Sequence, residues 1–283
     1  MSVIRLTPAS ENYPQRLKRL HDPPGQLFIK GTLPDFNQLI LAVVGSRKAS
    51  AYGRWATERL VGQVAASGVH ILSGLALGID SLSHASALGR GGLTSAVLPA
   101  GLDEVYPASH RTLADKIVAG GGALLSEYTP AVRAAPYHFP ARNRIVAALA
   151  DAVLIIEAGE RSGTLITAEH ALDIGVPVLA VPGPINSPTS VGTNRLIQQG
   201  AGLVTSAEDI LAELGLEAAH RPAVRGANPQ EQAVLDWLVD HPAVSMEELA
   251  EGLGLAPAEV NRLLTHLELA GSVRVDVGGW TLV

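Results

Sequence analysis

The sequence predicts a doubly wound α/β domain with a mostly parallel sheet, followed by a small winged-helix domain. Three observations carry this. Between residues 39 and 217, short β-branched runs ending in glycine or a small polar residue alternate with amphipathic stretches. That alternation is the pattern of strands buried on both faces by crossover helices. Residues 218–229 then lose periodicity and contain two prolines and a glycine, a linker composition. Beyond them, three helical patterns precede two short strand patterns. A chain of 283 residues that is 47% hydrophobic and 17% charged can bury a sizeable core, which excludes general disorder.

Residues 1–38 are expected to form a short helical or extended stub ahead of the sheet. Strands are expected at Leu41–Gly45, Val69–Gly74, Thr94–Leu98, Ala123–Ser126, Ala152–Ile156 and Pro177–Val181. Helices fit between and after them, at about 53–67, 79–88, 109–119, 142–149, 164–174 and 194–199. In the small domain, 230–283, the first helix spans Gln230–Val239 with Val234, Leu235 and Leu238 on one face. Ser245-Met-Glu-Glu248 is a capping box that opens a second helix, and Pro257 starts a third. Residues 271–283 read as a hairpin turning at Gly278-Gly279.

No cysteine occurs, which excludes disulfides, iron–sulfur clusters, thiolate zinc sites and a cysteine nucleophile. The first eight residues lack a secretory apolar core, and no stretch approaches the length of a membrane span. A soluble cytoplasmic protein with no membrane partner is the expectation. Net charge is −6, which argues against nucleic acid until its distribution is considered. Residues 1–38 carry +2, 39–217 carry −3, and 218–283 carry −5. No acid lies between Glu127 and Asp151, while Arg133, His138, Arg142 and Arg144 all do.

The sequence contains no Gly-Lys dipeptide, no G-x-S-x-G and no H-E-x-x-H, which removes P-loop, serine-hydrolase and zincin chemistry. The turn after the first predicted strand lacks G-x-G-x-x-G, so dinucleotide binding is disfavoured. What the loops offer is anion sites. Gly45-Ser46-Arg47 lies where a strand hands over to a helix, where free amides and an arginine fork suit a phosphate; a tight turn with a solvated arginine is the other reading. Ser73-Gly-Leu-Ala-Leu-Gly-Ile-Asp80 is more simply a turn whose aspartate caps a helix. Ser162, Gly163 and Thr164 again follow a strand, and their hydroxyls suit either a phosphate or the helix's own amides. Phe139-Pro-Ala-Arg142-Asn143-Arg144 joins a stacking ring, two guanidiniums and an amide, the set that single-stranded nucleic acid asks for. A core Phe139 with solvated arginines would give the same composition. Asp80 and His84 share a helix face, but without a third ligand they suit a local hydrogen bond rather than a metal site. No metal, cofactor or catalytic pair is expected.

Taken together, these motifs resemble the DNA-processing protein A (DprA/Smf) family. The resemblance is carried by Tyr13-Pro14 with Asp22-Pro-Pro24, Val43-Val-Gly-Ser-Arg47 with Tyr52-Gly53, Ser73–Asp80 with His84, Gly101-Leu-Asp103 with Tyr106-Pro107, and Ser126-Glu-Tyr128. It continues in Phe139–Arg144, Glu157-Ala158 with Ser162–Ala168, Pro182-Gly183, and Gly192-Thr-Asn194 with Gly200-Ala201. The resemblance implies an extended Rossmann-like domain that binds single-stranded DNA, usually as a homodimer through that domain. It also implies protection of the strand during natural transformation and loading of the RecA recombinase. Carried over by motif, Gly45, Ser46, Arg47, Arg142, Asn143 and Arg144 would line the strand-binding pocket. Phe139 would stack on a base and Arg133 would extend the basic rim. Many members carry a helical domain at the amino end, which the 38-residue stub leaves absent or reduced.

A non-enzymatic single-strand binder is therefore the leading expectation. The alternative is a nucleotide-processing hydrolase, because Glu157–Glu169 is similar to the glycine-rich loop of the LOG-type phosphoribohydrolases, although the double glycine is missing. A nucleotide-sensing transcription regulator rests on the winged helix alone. The third helix of that domain would face duplex DNA, yet its surroundings are acidic, so a protein-contact or positioning role is expected for it.

Overall fold

A computed structural model describes residues 3–216, 226–241, 244–276 and 279–282. The chain divides into two compact units between residues 217 and 218. In the first unit, nine strands form one sheet: β1 (Ile4–Leu6), β2 (Leu27–Gly31), β3 (Ile40–Val44), β4 (His70–Ser73), β5 (Thr94–Val97), β6 (Ala123–Ser126), β7 (Ala152–Ile155), β8 (Val178–Ala180) and β9 (Gly202–Leu203). Their spatial order is β1-β2-β6-β5-β4-β3-β7-β8-β9. Strands β3 to β9 run parallel, and β1 and β2 add an antiparallel edge.

Among the described residues, seven α-helices cover the faces: α1 (Ala51–Ala66), α2 (Ile79–Gly89), α3 (Arg111–Ala119), α4 (His138–Leu149), α5 (Gly163–Asp173), α6 (Val191–Gln198) and α7 (Ala207–Glu213). Strand β3 shows why both faces need cover. Ile40, Ala42 and Val44 enter one core with α4 and α5, while Leu41 and Val43 enter the other with α1. The chain winds outward from β3 through β4 and β5, then returns to β7 on the other side of β3. The carboxyl ends of β3 and β7 therefore flank a topological switch point, where open α/β sheets hold their ligands.

Of the boundaries that differ from the sequence expectation, two shape the surroundings of the sheet's carboxyl edge. Residues 1–38 do not stand ahead of the sheet, because β1 and β2 extend its edge against β6. The segment between them clamps the carboxyl end of α4. Arg19 donates to Ala148 O at 2.7 Å and Ala150 O at 3.0 Å, and Arg16 donates to Leu149 O at 3.0 Å and Asp151 at 2.8 Å. Cations there meet orphan carbonyls and the negative end of the helix dipole. Helix α4 also begins at His138 rather than Arg142. Pro140 sits in its first turn, where no intrahelical donor is required.

The second unit holds α8 (Pro229–Asp240), α9 (Met246–Leu253), α10 (Pro257–Leu269), β10 (Val273–Asp276) and β11 (Gly279–Leu282). The capping box at Ser245 and Glu248 is formed, and β10 pairs antiparallel with β11. Val234, Leu235 and Leu238 are buried against Leu249, Val260, Leu263 and Leu267. Three helices and a terminal hairpin make a winged helix. Most of the expected linker, 218–225, and Gly278 of the expected turn lie outside the described residues.

Candidate functional site

The switch point is built from three turns and one helix start. After β3, Gly45 is buried and Ser46 closes a small turn, its Oγ accepting from Lys48 N at 3.1 Å. Ile79 N donates to Ser46 O at 3.1 Å, which docks the start of α2 against this turn. Gly78, at φ 79°, approaches the Ser46 and Arg47 backbone so closely that a Cβ would overlap it. Arg47 projects outward and is exposed. Its guanidinium lies over the Phe139 ring, 4.9 Å from the centroid, and Phe139 meets Tyr106 edge-on at 5.4 Å. Arg47 and Phe139, separate candidates from the sequence, are thus neighbours, with Phe139 half-buried and Tyr106 about half exposed.

The expected open helix N-terminus after β3 is not open. Glu157, at the end of β7, is 1% exposed and its carboxylate sits on the first turn of α1. It accepts from Ser50 N at 3.0 Å, Ser50 Oγ at 2.5 Å and Thr189 Oγ1 at 3.0 Å. Gly53 makes room for it, since a Cβ there would overlap the carboxylate. The amide at the cap of that helix, Ser50 N, already holds the protein's own anion.

Arg142 departs from the expectation of a rim cation. It is 4% exposed, and its Nη1 donates to Gly74 O at 2.5 Å and also to Val97 O. Its Nε donates to Asn143 Oδ1 at 3.2 Å. Gly74 is required beside it, because a Cβ would overlap the guanidinium. Asp80, also buried, caps the same loop by accepting from Gly74 N at 3.2 Å and Ala76 N at 3.4 Å. Burial pushes the Asp80 carboxyl up, against the pull of Arg142. Burial likewise draws the Arg142 guanidinium down to about 10, still protonated at neutral pH. Arg142 is thus a clamp joining the ends of β4 and β5 to α4.

Arg144 points elsewhere. Its Nη2 pairs with Glu127 Oε2 at 2.5 Å, with both side chains largely buried. The acid at the border of the arginine-rich window neutralises it, so the two arginines do not converge on one pocket. The reason is helical geometry: residues two apart on a helix point about 200° apart. Burial raises the Glu127 carboxyl despite Arg144.

Ser162 and Thr164 satisfy one another. Ser162 Oγ accepts from Thr164 N at 3.2 Å and lies 2.9 Å from Thr164 Oγ1 as the cap of α5, the second of the two readings offered by sequence. Asn143 Nδ2 donates to Gly163 O at 3.4 Å, which links the starts of α4 and α5. Arg133 is exposed and lines a cavity with Tyr106 and Glu104. His84 does not bond Asp80; its Nδ1 lies 2.7 Å from Thr94 Oγ1. No cluster of three metal-ligating side chains occurs among the described residues. Tyr106 and Glu157 are the neighbours to which residue type alone gave no role, although each stood inside a quoted motif.

Comparison with known proteins follows the same division. The model of the DNA recombination-mediator protein A family matches residues 5–215, and the DprA winged helix domain matches 217–279. Protein Smf of Escherichia coli is 43% identical over 286 residues, covering 97% of this chain and 76% of that one. The crystal structure of DNA processing protein A from Streptococcus pneumoniae superposes with a TM-score of 0.70 at 43% identity, over 74% of each chain. A solved structure of DNA processing protein A from Helicobacter pylori, described for its unique single-stranded DNA binding mode, gives 0.66 at 31% identity, over 75% of this chain and 95% of that one. With its sheet, its winged helix and its whole motif order in place, this chain belongs to the DNA recombination-mediator protein A (DprA/Smf) family.

Proposed function

We propose that the protein binds single-stranded DNA without strong base-sequence preference, protects it, and helps load a RecA-class recombinase during transformation and recombination. It does so as a non-catalytic homodimer formed through the sheet-bearing unit, in the cytoplasm. The observation that carries the reading is the Arg47–Phe139 contact at the switch-point edge: an exposed cation held over a half-buried ring. A guanidinium fixed this way offers its edge to a phosphate while the ring and its neighbour offer faces to bases. The Helicobacter pylori relative supports the ligand class. Gly45, Ser46, Asn143 and Gly163 form the floor, and Arg133 the outer rim. Arg142 acts beneath them as a positioning residue. Ser162 and Thr164 hold the α5 turn, and Arg144 holds the far side of α4 through Glu127.

The test is a gel-shift series with single- and double-stranded oligonucleotides of equal length at two salt concentrations. Preferential, salt-sensitive binding of the single strand is expected. Arg47→Ala should weaken it for every sequence and flatten the log–log salt slope by about 0.7, one phosphate contact on a single strand. Unchanged affinity and slope would remove Arg47 from the site.

A further inference from the structure

Beside the Arg47–Phe139 stack lies a cavity of about 340 Å³, lined by Glu104, Val105, Tyr106, Pro107 and Arg133 together with small residues. It falls at the lower end of small-molecule sites, which span about 300–1,000 Å³. Three features describe its occupant. Tyr106 is 49% exposed, a large apolar surface left open to solvent. Its ring meets Phe139 edge-on at 5.4 Å, and Arg47 covers Phe139 at 4.9 Å, so the cavity continues the cation–aromatic series of the candidate site. Finally, the cavity carries one acid and one base, Glu104 and Arg133, both exposed. Opposed charges at one mouth disfavour a phosphate inside and suit a neutral, planar, polar group with donors and acceptors on its edge.

We propose that this cavity receives one nucleobase turned out of the bound single strand, stacked on Tyr106, while Arg47 and Arg133 hold the phosphates on either side. The proposal rests on the single-strand reading above and adds a base-binding subsite to it. Stacking is tolerant of base identity because every base has a π-face, so the subsite is compatible with weak sequence preference. An unstacked base is the normal currency of single-strand recognition.

The experiment uses the full-length protein and fluorescence anisotropy with two labelled strands of equal length, one base-bearing and one abasic. Wild-type protein is expected to bind the base-bearing strand more tightly. Tyr106→Ala should weaken that strand about fivefold, the low end of what one base–aromatic stack is worth, and leave the abasic strand unchanged. Tyr106→Phe, which keeps the ring, should restore binding. Equal binding of both strands by the wild type, or an equal loss on both in Tyr106→Ala, would overturn the subsite while leaving single-strand binding intact. Failure to bind either strand would instead sink the single-strand reading, and the subsite with it. A competition arm with adenosine monophosphate separates the other source of a base: if the free nucleotide saturates a Tyr106-dependent site without displacing the strand, the proposal falls.

Discussion

Lowering the pH from 8 to 5 should destabilise the sheet-bearing unit through two histidines that carry no expected role in binding. His84 on α2 is fully buried, and its Nδ1 lies 2.7 Å from Thr94 Oγ1, which itself donates to Ile71 O. The ring therefore serves as the donor, and its Nε2 has no partner among the described residues. His70 is 2% exposed, with Nε2 3.0 Å from Ser95 Oγ. Burial, with Arg142, His110 and His70 adding repulsion, lowers the His84 value from 6.5 to about 3; burial alone lowers His70 to about 4. Between those values and 6.5 the unfolded chain binds protons that the folded chain refuses, so stability falls as pH falls. From 6.5 down to pH 5 is about 1.5 pH units, at about 1.4 kcal/mol each, which makes the loss about 2 kcal/mol per histidine. Asp80 and Glu127, whose values are raised, pull the other way. The measurement is therefore a difference. Urea unfolding is followed through Trp55 in a Trp237→Phe/Trp280→Phe background, with and without His84→Asn, at pH 8 and pH 5. The parent should lose about 2 kcal/mol more than the His84→Asn variant on acidification. Equal losses in the two proteins would refute the claim that His84 stays neutral in the folded state.

Arg142→Ala should cost about 3 kcal/mol in urea unfolding, because it orphans two buried carbonyls and leaves the Asp80 carboxyl without its nearest cation; a loss under about 1 kcal/mol would place Arg142 outside the clamp. Glu127→Ala and Arg144→Ala should each destabilise by roughly 1–3 kcal/mol, since each leaves a largely buried charge unpaired. Arg144→Ala should nevertheless leave the salt slope of single-strand binding where it was, in contrast to Arg47→Ala, and a flattened slope in the same titration would return Arg144 to the interface. The winged-helix unit, with Glu259 on its third helix bonded to Gln230 and a −5 tail, should not shift duplex DNA at physiological salt when residues 226–283 are tested in a gel.

The central strands and their helices were legible because period and length agreed: β3 to β8 and α1 to α6 lie where short apolar runs and amphipathic stretches alternate. Strands β1 and β2 were hidden, since a three-residue edge strand and Leu27-Phe-Ile-Lys-Gly carry too few positions for a period. Helix α7 went unnoticed although Ser206 and Asp209 form a capping box, a signal that was present and readable. Of the candidate residues singled out by type, Arg47 and Phe139 are brought together. The fates of Arg142 and Arg144 were not in the composition. They depend on which face of α4 each occupies, and on carboxyls and carbonyls 17 to 68 positions away. Sequence distance conceals such partners, and only the packed chain reveals them.

Glu157 bears on what the fold leaves behind. A Rossmann-type sheet ordinarily offers its first helix N-terminus to a pyrophosphate, and cells are rich in molecules that carry one. Here one amide and two hydroxyls, from Ser50 and Thr189, hold the Glu157 carboxylate at that helix start. A dinucleotide could dock only by evicting a buried carboxylate and leaving its donors unmatched. If the protein binds a single strand as proposed, the seat filled by Glu157 leaves the exposed rim around Arg47 and Phe139 as the surface for it, where a polymer need not be enclosed.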